Sequence, residues 1–337
     1  MTRRLAGLLL VALSATAMAQ TTRTATAPEV VGRPVAERSV GDWLQRMHDA
    51  SRQRAYVGTF VVAGGGRLSS ARIWHVCDGT QQMERVESLT GAPRSTFRRN
   101  DQVLTFLPES RVVLAERRES LGLFPQLLKS NSASIAQHYR VREMGSERVA
   151  GFEADVVELR PTDTLRFGYR VWIEKDTGLT VKLQTLDGQG QVLEQAAFSD
   201  LKFDAPISMA NLEQMMGHTE GYTLEKPEMR KTTAEAEGWV LRQGVRGFHP
   251  MSCYQRSVGG PQARQAPTLQ WIFSDGLASV SLFIEPFVAG RHGQPKSLAM
   301  GATHTLTRRF GDWWLTAVGE VPTETLAAFA QGLERQK

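Results

Sequence analysis

Apolar positions recur along this chain with two different periods, and the switches between them outline its architecture. From Ser39 onward, Val40, Trp43, Leu44 and Met47 fall at i, i+3, i+4 and i+7, the stripe of an amphipathic helix that Ser39 is placed to cap. The period then drops to two. Runs at 56–62, 68–76, 82–89, 94–99, 103–106 and 111–115 are separated by Gly64-Gly65-Gly66, Asp78-Gly79, Gly91-Ala92-Pro93, Asn100-Asp101 and Pro108-Glu109. Short strands at such regular spacing predict one antiparallel sheet that curls on itself.

A helical stripe returns at 120–129, where Leu121, Phe124, Leu127 and Leu128 share a face that Pro125 interrupts, and 134–139 predicts a further turn or two of helix. Strands resume at 139–144 and 152–160. Between Tyr169 and Phe203 three more runs are punctuated by Asp176-Thr177-Gly178 and Asp187-Gly188-Gln189-Gly190, hairpin signals because glycine tolerates the positive φ of a tight turn. This is a meander and not a βαβ unit.

From Asp204 to about Gly238 the periodicity fades around Pro206 and Pro227, which predicts a linker holding one helix at 210–216. A smaller unit follows, with strands at 239–242, 252–256, 268–274, 280–286, 302–310 and 313–318. A last helix after Pro322 puts Leu326, Phe329, Ala330 and Leu333 on one face. The expected division is a large domain at 39–205, a linker at 206–238 and a small domain at 239–334, in keeping with 337 residues. The class is α+β.

Residues 1–19 read as a secretory signal peptide, with Arg3 and Arg4 before an apolar run and Ala17-Met18-Ala19 as the cleavage site. That run is well short of the ~20 residues that span a bilayer, and no lipidation cysteine follows. Residues 20–38 lack periodicity and are expected to be disordered. The mature chain is thus expected outside the cytoplasm as a soluble protein. Removing two arginines lowers the formal charge from +5 to +3, too mild to imply nucleic acid. Export permits a disulfide between Cys77 and Cys253, and two buried free thiols explain the pair equally well.

Motifs for chemistry are missing. The sequence contains no Gly-x-Ser-x-Gly elbow, His-Glu-x-x-His, Cys-x-x-Cys, Walker loop or dinucleotide fingerprint. The histidines at 48, 75, 138, 218, 249, 292 and 304 never take ligand spacing, so no metal and no cofactor is expected and no residue is assigned as catalytic. What remains is apolar surface and arginine, of which there are 32 against 8 lysines. Leu121, Phe124, Leu127 and Leu128 either plug the curled sheet as core or line a cleft for an acyl chain. Arg94, Arg98 and Arg99, with Arg111, Arg117 and Arg118 near them in sequence, form either a headgroup site able to grip phosphate or a solvated strand face.

Three stretches together resemble the RseB/MucB family, periplasmic negative regulators of an envelope-stress sigma factor. They are Asp42-Trp43-Leu44 with Tyr56-Val57-Gly58-Thr59-Phe60, then Val171-Trp172-Ile173 through Leu193-Glu194-Gln195, and Ser274-Asp275-Gly276-Leu277-Ala278-Ser279-Val280-Ser281. The resemblance implies a large domain similar to the lipoprotein carriers LolA and LolB, an incomplete antiparallel barrel with inserted helices, followed by a linker and a smaller α/β domain. It implies a periplasmic location and a partner, the periplasmic region of a membrane-spanning anti-sigma factor, which such proteins shield from proteolysis. A lipid or lipopolysaccharide signal would release them. Ser274, Asp275, Gly276 and Leu277 match a family motif and are the candidate partner contact, although the same turn reads equally as a hairpin whose leucine packs inward. A carrier working through the large cleft is the alternative function, and a homo-oligomer is left open.

Overall fold

The computed structural model describes residues 38–117, 124, 135–257 and 267–336. The expected signal peptide, the tail at 20–37 and the stripe residues Leu121, Leu127 and Leu128 lie outside these residues. The described chain opens with α1, Val40–Gln53, held by a capping box in which Ser39 Oγ accepts from Asp42 N and the Asp42 carboxylate accepts from Ser39 N.

Six strands follow in hairpin succession: β1 (Tyr56–Gly64), β2 (Arg67–Cys77), β3 (Gln82–Ser88), β4 (Ser95–Arg99), β5 (Gln102–Leu107) and β6 (Val112–Arg117). The short α2 (Ile135–His138) leads into β7 (Tyr139–Val149), β8 (Phe152–Pro161), β9 (Gly168–Glu174), β10 (Thr180–Leu186) and β11 (Val192–Phe203). The meander read from sequence is β9 to β11. All these strands join one sheet in the order β6-β5-β4-β3-β2-β1-β11-β10-β9-β8-β7, because β11 returns to pair with β1.

Residues 206–238, expected as a linker, are more structured than the fading periodicity suggested. They hold α3 (Met209–Gly217), β12 (Thr223–Glu225) and β13 (Glu228–Lys231). Strand β12 pairs in parallel with β6 and becomes the twelfth strand of the first sheet, while β13 pairs with the second sheet. Both strands are short and exposed throughout, so burial leaves no alternation for a sequence pattern to show.

The chain continues with β14 (Trp239–Leu241), β15 (His249–Ser257), β16 (Thr268–Ser274), β17 (Ser279–Pro286), β18 (Ser297–Met300), β19 (Thr303–Phe310) and β20 (Trp313–Gly319), then α4 (Thr323–Gly332) and β21 (Leu333–Arg335), and most of these strands form the second sheet. Its order is β13-β15-β16-β17-β20-β19-β18, and β14 pairs separately with β21. Leu333, expected at the end of the helical face, is the first residue of β21 instead: the chain leaves α4 after Gly332 to pair with Leu241 and still buries that leucine. Phe329 and Leu326 of α4 pack on Phe273, Val280, Leu282 and Leu315.

The class is α+β, and the first sheet is open, since β12 and β7 are its two edges. Register assigns its two faces. Phe60, Ala71 and Ser88 lie across from one another, so Ile73, His75, Glu84 and Val86 share the side of Phe60. On that side β11, β10 and β9 contribute Ala196, Leu183 and Val171, which pair in a row, and α1 packs Val40, Trp43, Leu44 and Met47 against Val157, Leu159, Tyr169, Val171 and Ile173. Helix α3 covers the opposite side, setting Leu212 and Met216 on Met83, Phe97, Phe106 and Val113. One helix fills the inner face and the other caps the outer one.

Candidate functional site

Phe124 is the one described member of the apolar stripe at 121–128. It is buried on the inner face between Phe60 and Phe198, with ring centroids 5.6 and 5.0 Å away. In this structure it packs as core.

Beside that apolar patch runs a polar ladder that sequence reading missed. Tyr56 pairs with His75, His75 with Glu84, and Glu84 with Arg98, across four neighbouring strands, and each of the four side chains is buried. Arg98 Nε donates to Glu84 Oε2 at 2.8 Å and its Nη1 to the Asn100 carbonyl at 2.7 Å. Tyr56 stacks on His75 with centroids 5.0 Å apart. His75 Nδ1 meets the Arg54 carbonyl at 2.8 Å, so that nitrogen carries the proton, and burial lowers the pKa of the ring. Among the described residues its Nε2, 3.7 Å from Glu84 Oε1, and the Tyr56 hydroxyl have no hydrogen-bond partner.

This placement divides the arginine cluster. Alternation along β4 sends Arg98 inward and Arg99 outward, where Arg99 pairs with Glu213 of α3 at 3.0 Å. Arg94 precedes the strand and is exposed. Arg94, Arg98 and Arg99 therefore share no single face, and Arg98 is a structural cation already held by a carboxylate. Cys77 and Cys253 are both free thiols, half-buried and buried, and burial followed by Glu237 and Glu235 pushes Cys253 up to about 11.

Ser274, Asp275, Gly276 and Leu277 form the turn between β16 and β17, and all four are buried. The turn is built locally: Ser274 Oγ donates to the Ala278 carbonyl, and Asp275 Oδ1 accepts from Leu277 N and Ala278 N. Gly276 supplies φ of 105°. The other carboxylate oxygen leaves the turn altogether. Asp275 Oδ2 accepts from Arg166 Nε at 2.7 Å and from the Tyr139 hydroxyl at 3.3 Å, both on the side of the first sheet. Leu277 packs into the apolar cluster of α1 and β7 to β9. The motif faces the first sheet and not solvent.

Arg166 is fully buried and has a partner for each nitrogen: Asp275, Asp163 and the Arg246 carbonyl. Burial pushes Asp163 up, but hydrogen bonds from Arg166, Leu165 N and Arg246 outweigh it and leave its pKa lowered. Burial lowers His138 nearby, with Arg166 adding to the effect. A cleft of about 680 Å³ opens beside this junction, lined by Asp163, Arg166 and Phe167 from one side and by His304, Thr323 and Glu324 from the other. Nothing in the spacing of Asp163, Arg166 and Tyr139 pointed to Asp275. The only sequence sign was an arginine flanked by Leu165 and Phe167, a charge inside an apolar run.

Comparison with known proteins gives one consistent answer. Residues 39–216 match the MucB/RseB N-terminal domain and residues 233–334 the MucB/RseB C-terminal domain. The sigma factor AlgU regulatory protein MucB of Pseudomonas aeruginosa is 31% identical over 296 residues, covering 84% of this chain and 87% of the relative. The sigma-E factor regulatory protein RseB of Escherichia coli is 22% identical over 87% of this chain and 90% of its own length. The solved Pseudomonas aeruginosa MucA/MucB complex superposes with a TM-score of 0.68 at 26% identity, covering 88% of this chain and 99% of that one. MucB in complex with MucA(peri) gives 0.66 at 27%, covering 88% and 98%. With both domains matched in order, this chain belongs to the MucB/RseB family of sigma factor regulatory proteins.

Proposed function

We propose that this protein works in the periplasm, binds the periplasmic region of a membrane-spanning anti-sigma factor, and shields it from proteolysis until a lipid or lipopolysaccharide signal releases it. The observation that carries the reading is the match of both halves, in order, to a protein solved together with MucA(peri). Regulation of a sigma factor is what the relative's name describes, and the inner face of the first sheet, an aromatic cluster around Phe60 and Phe198 that is buried here, is the surface on which a lipid would act. In this reading the small domain captures the partner and the large domain senses the lipid.

The contribution of Ser274, Asp275, Gly276 and Leu277 to capture becomes indirect, because these residues are spent on the first sheet. The headgroup role falls to exposed Arg94 and outward-facing Arg99, with Arg111 and Arg117, and no longer to Arg98. A carrier acting through the inner face alone would leave the second sheet without a task.

The test is calorimetric titration of the full chain with a peptide spanning the periplasmic region of the cognate anti-sigma factor, with and without lipopolysaccharide. Saturable one-to-one binding that weakens as lipopolysaccharide is added is expected. Absence of binding at high micromolar concentration would sink the proposal. Binding indifferent to lipopolysaccharide would sink its release step.

A further inference from the structure

Arg38–Lys337 is one compact unit, yet its two sheets have separate cores, so something must fix one against the other. The contacts at their junction are reciprocal. Leu277 leaves the second sheet and packs in the core of the first, while Leu165, between β8 and β9, packs against the core of the second. Thr325 Oγ1 of α4 donates to the Leu165 carbonyl at 2.8 Å, and Thr325 is itself buried. At the centre lies Arg166 with Asp275, an ion pair with both side chains at 0% exposure.

The backbone is shaped around that pair. Gly247, at φ of +81°, sits so close that a Cβ there would fall 2.1 Å from Arg166 Nη2 and 2.5 Å from His138 Nε2. Only a residue without a side chain lets the Arg246 carbonyl reach Arg166. The division of labour within Asp275 is equally specific. One oxygen holds its own turn, which would form without the first sheet, and the other is given wholly to Arg166 and Tyr139. A carboxylate serving only the hairpin would not need the second set of bonds.

We propose that Arg166 and Asp275 are positioning residues that latch the two sheets in one relative placement, and that capture of an anti-sigma segment requires the latch closed. The second half rests on the proposed function above. A buried charge pair suits this role because it is directional and costly to leave half-made, so the junction has a closed state and an open one with little between. The adjoining cleft ends against Arg166 and Asp163, and an open junction would solvate both charges of the pair. Partner binding that favours the closed placement then draws on the same equilibrium that any ligand favouring the open placement would oppose.

The test uses the full chain and two readouts, small-angle X-ray scattering of the free protein and titration with the anti-sigma peptide. Asp275→Asn keeps an oxygen for Leu277 N and Ala278 N but turns an N–H toward Arg166. The expected result is a folded protein whose scattering profile broadens and whose peptide Kd rises about 10-fold, within the range usual for coupled sites. Thr325→Val, nearly isosteric, removes only the bond to Leu165 and decides the matter if Asp275→Asn fails to fold. It should move both readouts in the same direction by a smaller factor. A lower melting temperature with unchanged scattering and unchanged Kd would show that the pair only stabilises, and would overturn the latch. Broadened scattering with unchanged Kd would overturn its link to capture. If wild-type protein binds no peptide, the proposed function fails by itself, and scattering alone then decides whether the pair positions the sheets.

Discussion

Among the described residues, Glu84–Arg98 and Arg166–Asp275 are buried ion pairs of the same chemistry set in different surroundings, and the contrast separates what holds a sheet from what joins two. Glu84 and Arg98 are cross-strand partners only 14 residues apart, and the register of β3 and β4 brings them together once that one hairpin forms. Arg166 and Asp275 are 109 residues apart and belong to elements that share no strand pairing. The first pair is a consequence of the sheet; the second is a condition on how the sheets meet. Removing a member of each therefore tests different things, and a buried pair is poor evidence of stability until one partner is removed.

The largest effect should come from Glu84→Ala. It takes the Glu84 carboxylate from Arg98, whose side chain is 3% exposed, and breaking such a pair costs about 3–5 kcal/mol. Urea unfolding should show that loss, while the affinity for the anti-sigma peptide, measured under conditions where the variant is folded, stays within twofold of wild type. A tenfold weaker Kd there would erase the contrast drawn above.

Arg166→Met should fall at the low end of that range, about 3 kcal/mol, because Asp275 keeps the Tyr139 hydroxyl and the two turn N–H groups as donors. Here the affinity should move as well. Stability and affinity changing together in this variant, but not in Glu84→Ala, would sharpen the distinction between a structural pair and a positioning one. Equal behaviour of the two would break it.

The same contrast explains what the sequence could show. Ladders of hairpins leave a local signature, an alternation broken by Asp-Gly or Gly-rich turns, and every expected strand from 56 to 115 and from 169 to 203 lies within a residue or two of an observed one. The polar ladder was hidden because Glu84 and Arg98 occupy inward positions that a pattern rule assigns to apolar residues. Strands β12, β13 and β18 were missed for the opposite reason, being short and exposed on all sides. Apart from Arg166 set between Leu165 and Phe167, the junction has no local signature. Asp275 looked like a turn residue because it is one, and the bond of its second oxygen to Arg166 depends on a distance no spacing encodes. The order of the stretches around Trp43, Trp172 and Ser274 was enough to place the chain in its family, since family resemblance records the outcome of packing without deriving it.

An acid titration should tell the two pairs apart more gently. Burial lowers His75 beneath its ordinary value of 6.5, and burial likewise lowers His138 beside Arg166. For a group whose folded pKa is depressed, the unfolded chain binds the proton first. The folded state is fully favoured above pH 6.5, and stability is lost as pH falls from there toward the folded value. His75→Asn retains a donor for the Arg54 carbonyl but cannot titrate. Its stability should be lower at pH 7.5 yet flatter between pH 6.5 and 5 than wild type, as read from denaturation midpoints. A slope equal to that of wild type would mean that the ladder does not feel the proton.

The smallest effect belongs to a third pair that resembles the others only on paper. Arg99 and Glu213 approach to 3.0 Å, but their side chains are 42% and 36% exposed, so water competes for both charges. Arg99 also reaches Gln81 Oε1 at 3.0 Å, and α3 is already held by Leu212 and Met216. Glu213→Ala should therefore change stability by no more than about 0.5 kcal/mol, and by less at 0.5 M salt. Because Arg99 would be left freer and Arg94 is exposed throughout, the same variant should release the anti-sigma peptide at a slightly lower dose of anionic lipid if this face meets headgroups. An unchanged dose-response in Glu213→Ala, together with an unchanged response when Arg94 and Arg99 are both replaced by glutamine, would leave those arginines as solvated charges and move the search for the lipid site to the inner face around Phe60 and Phe198.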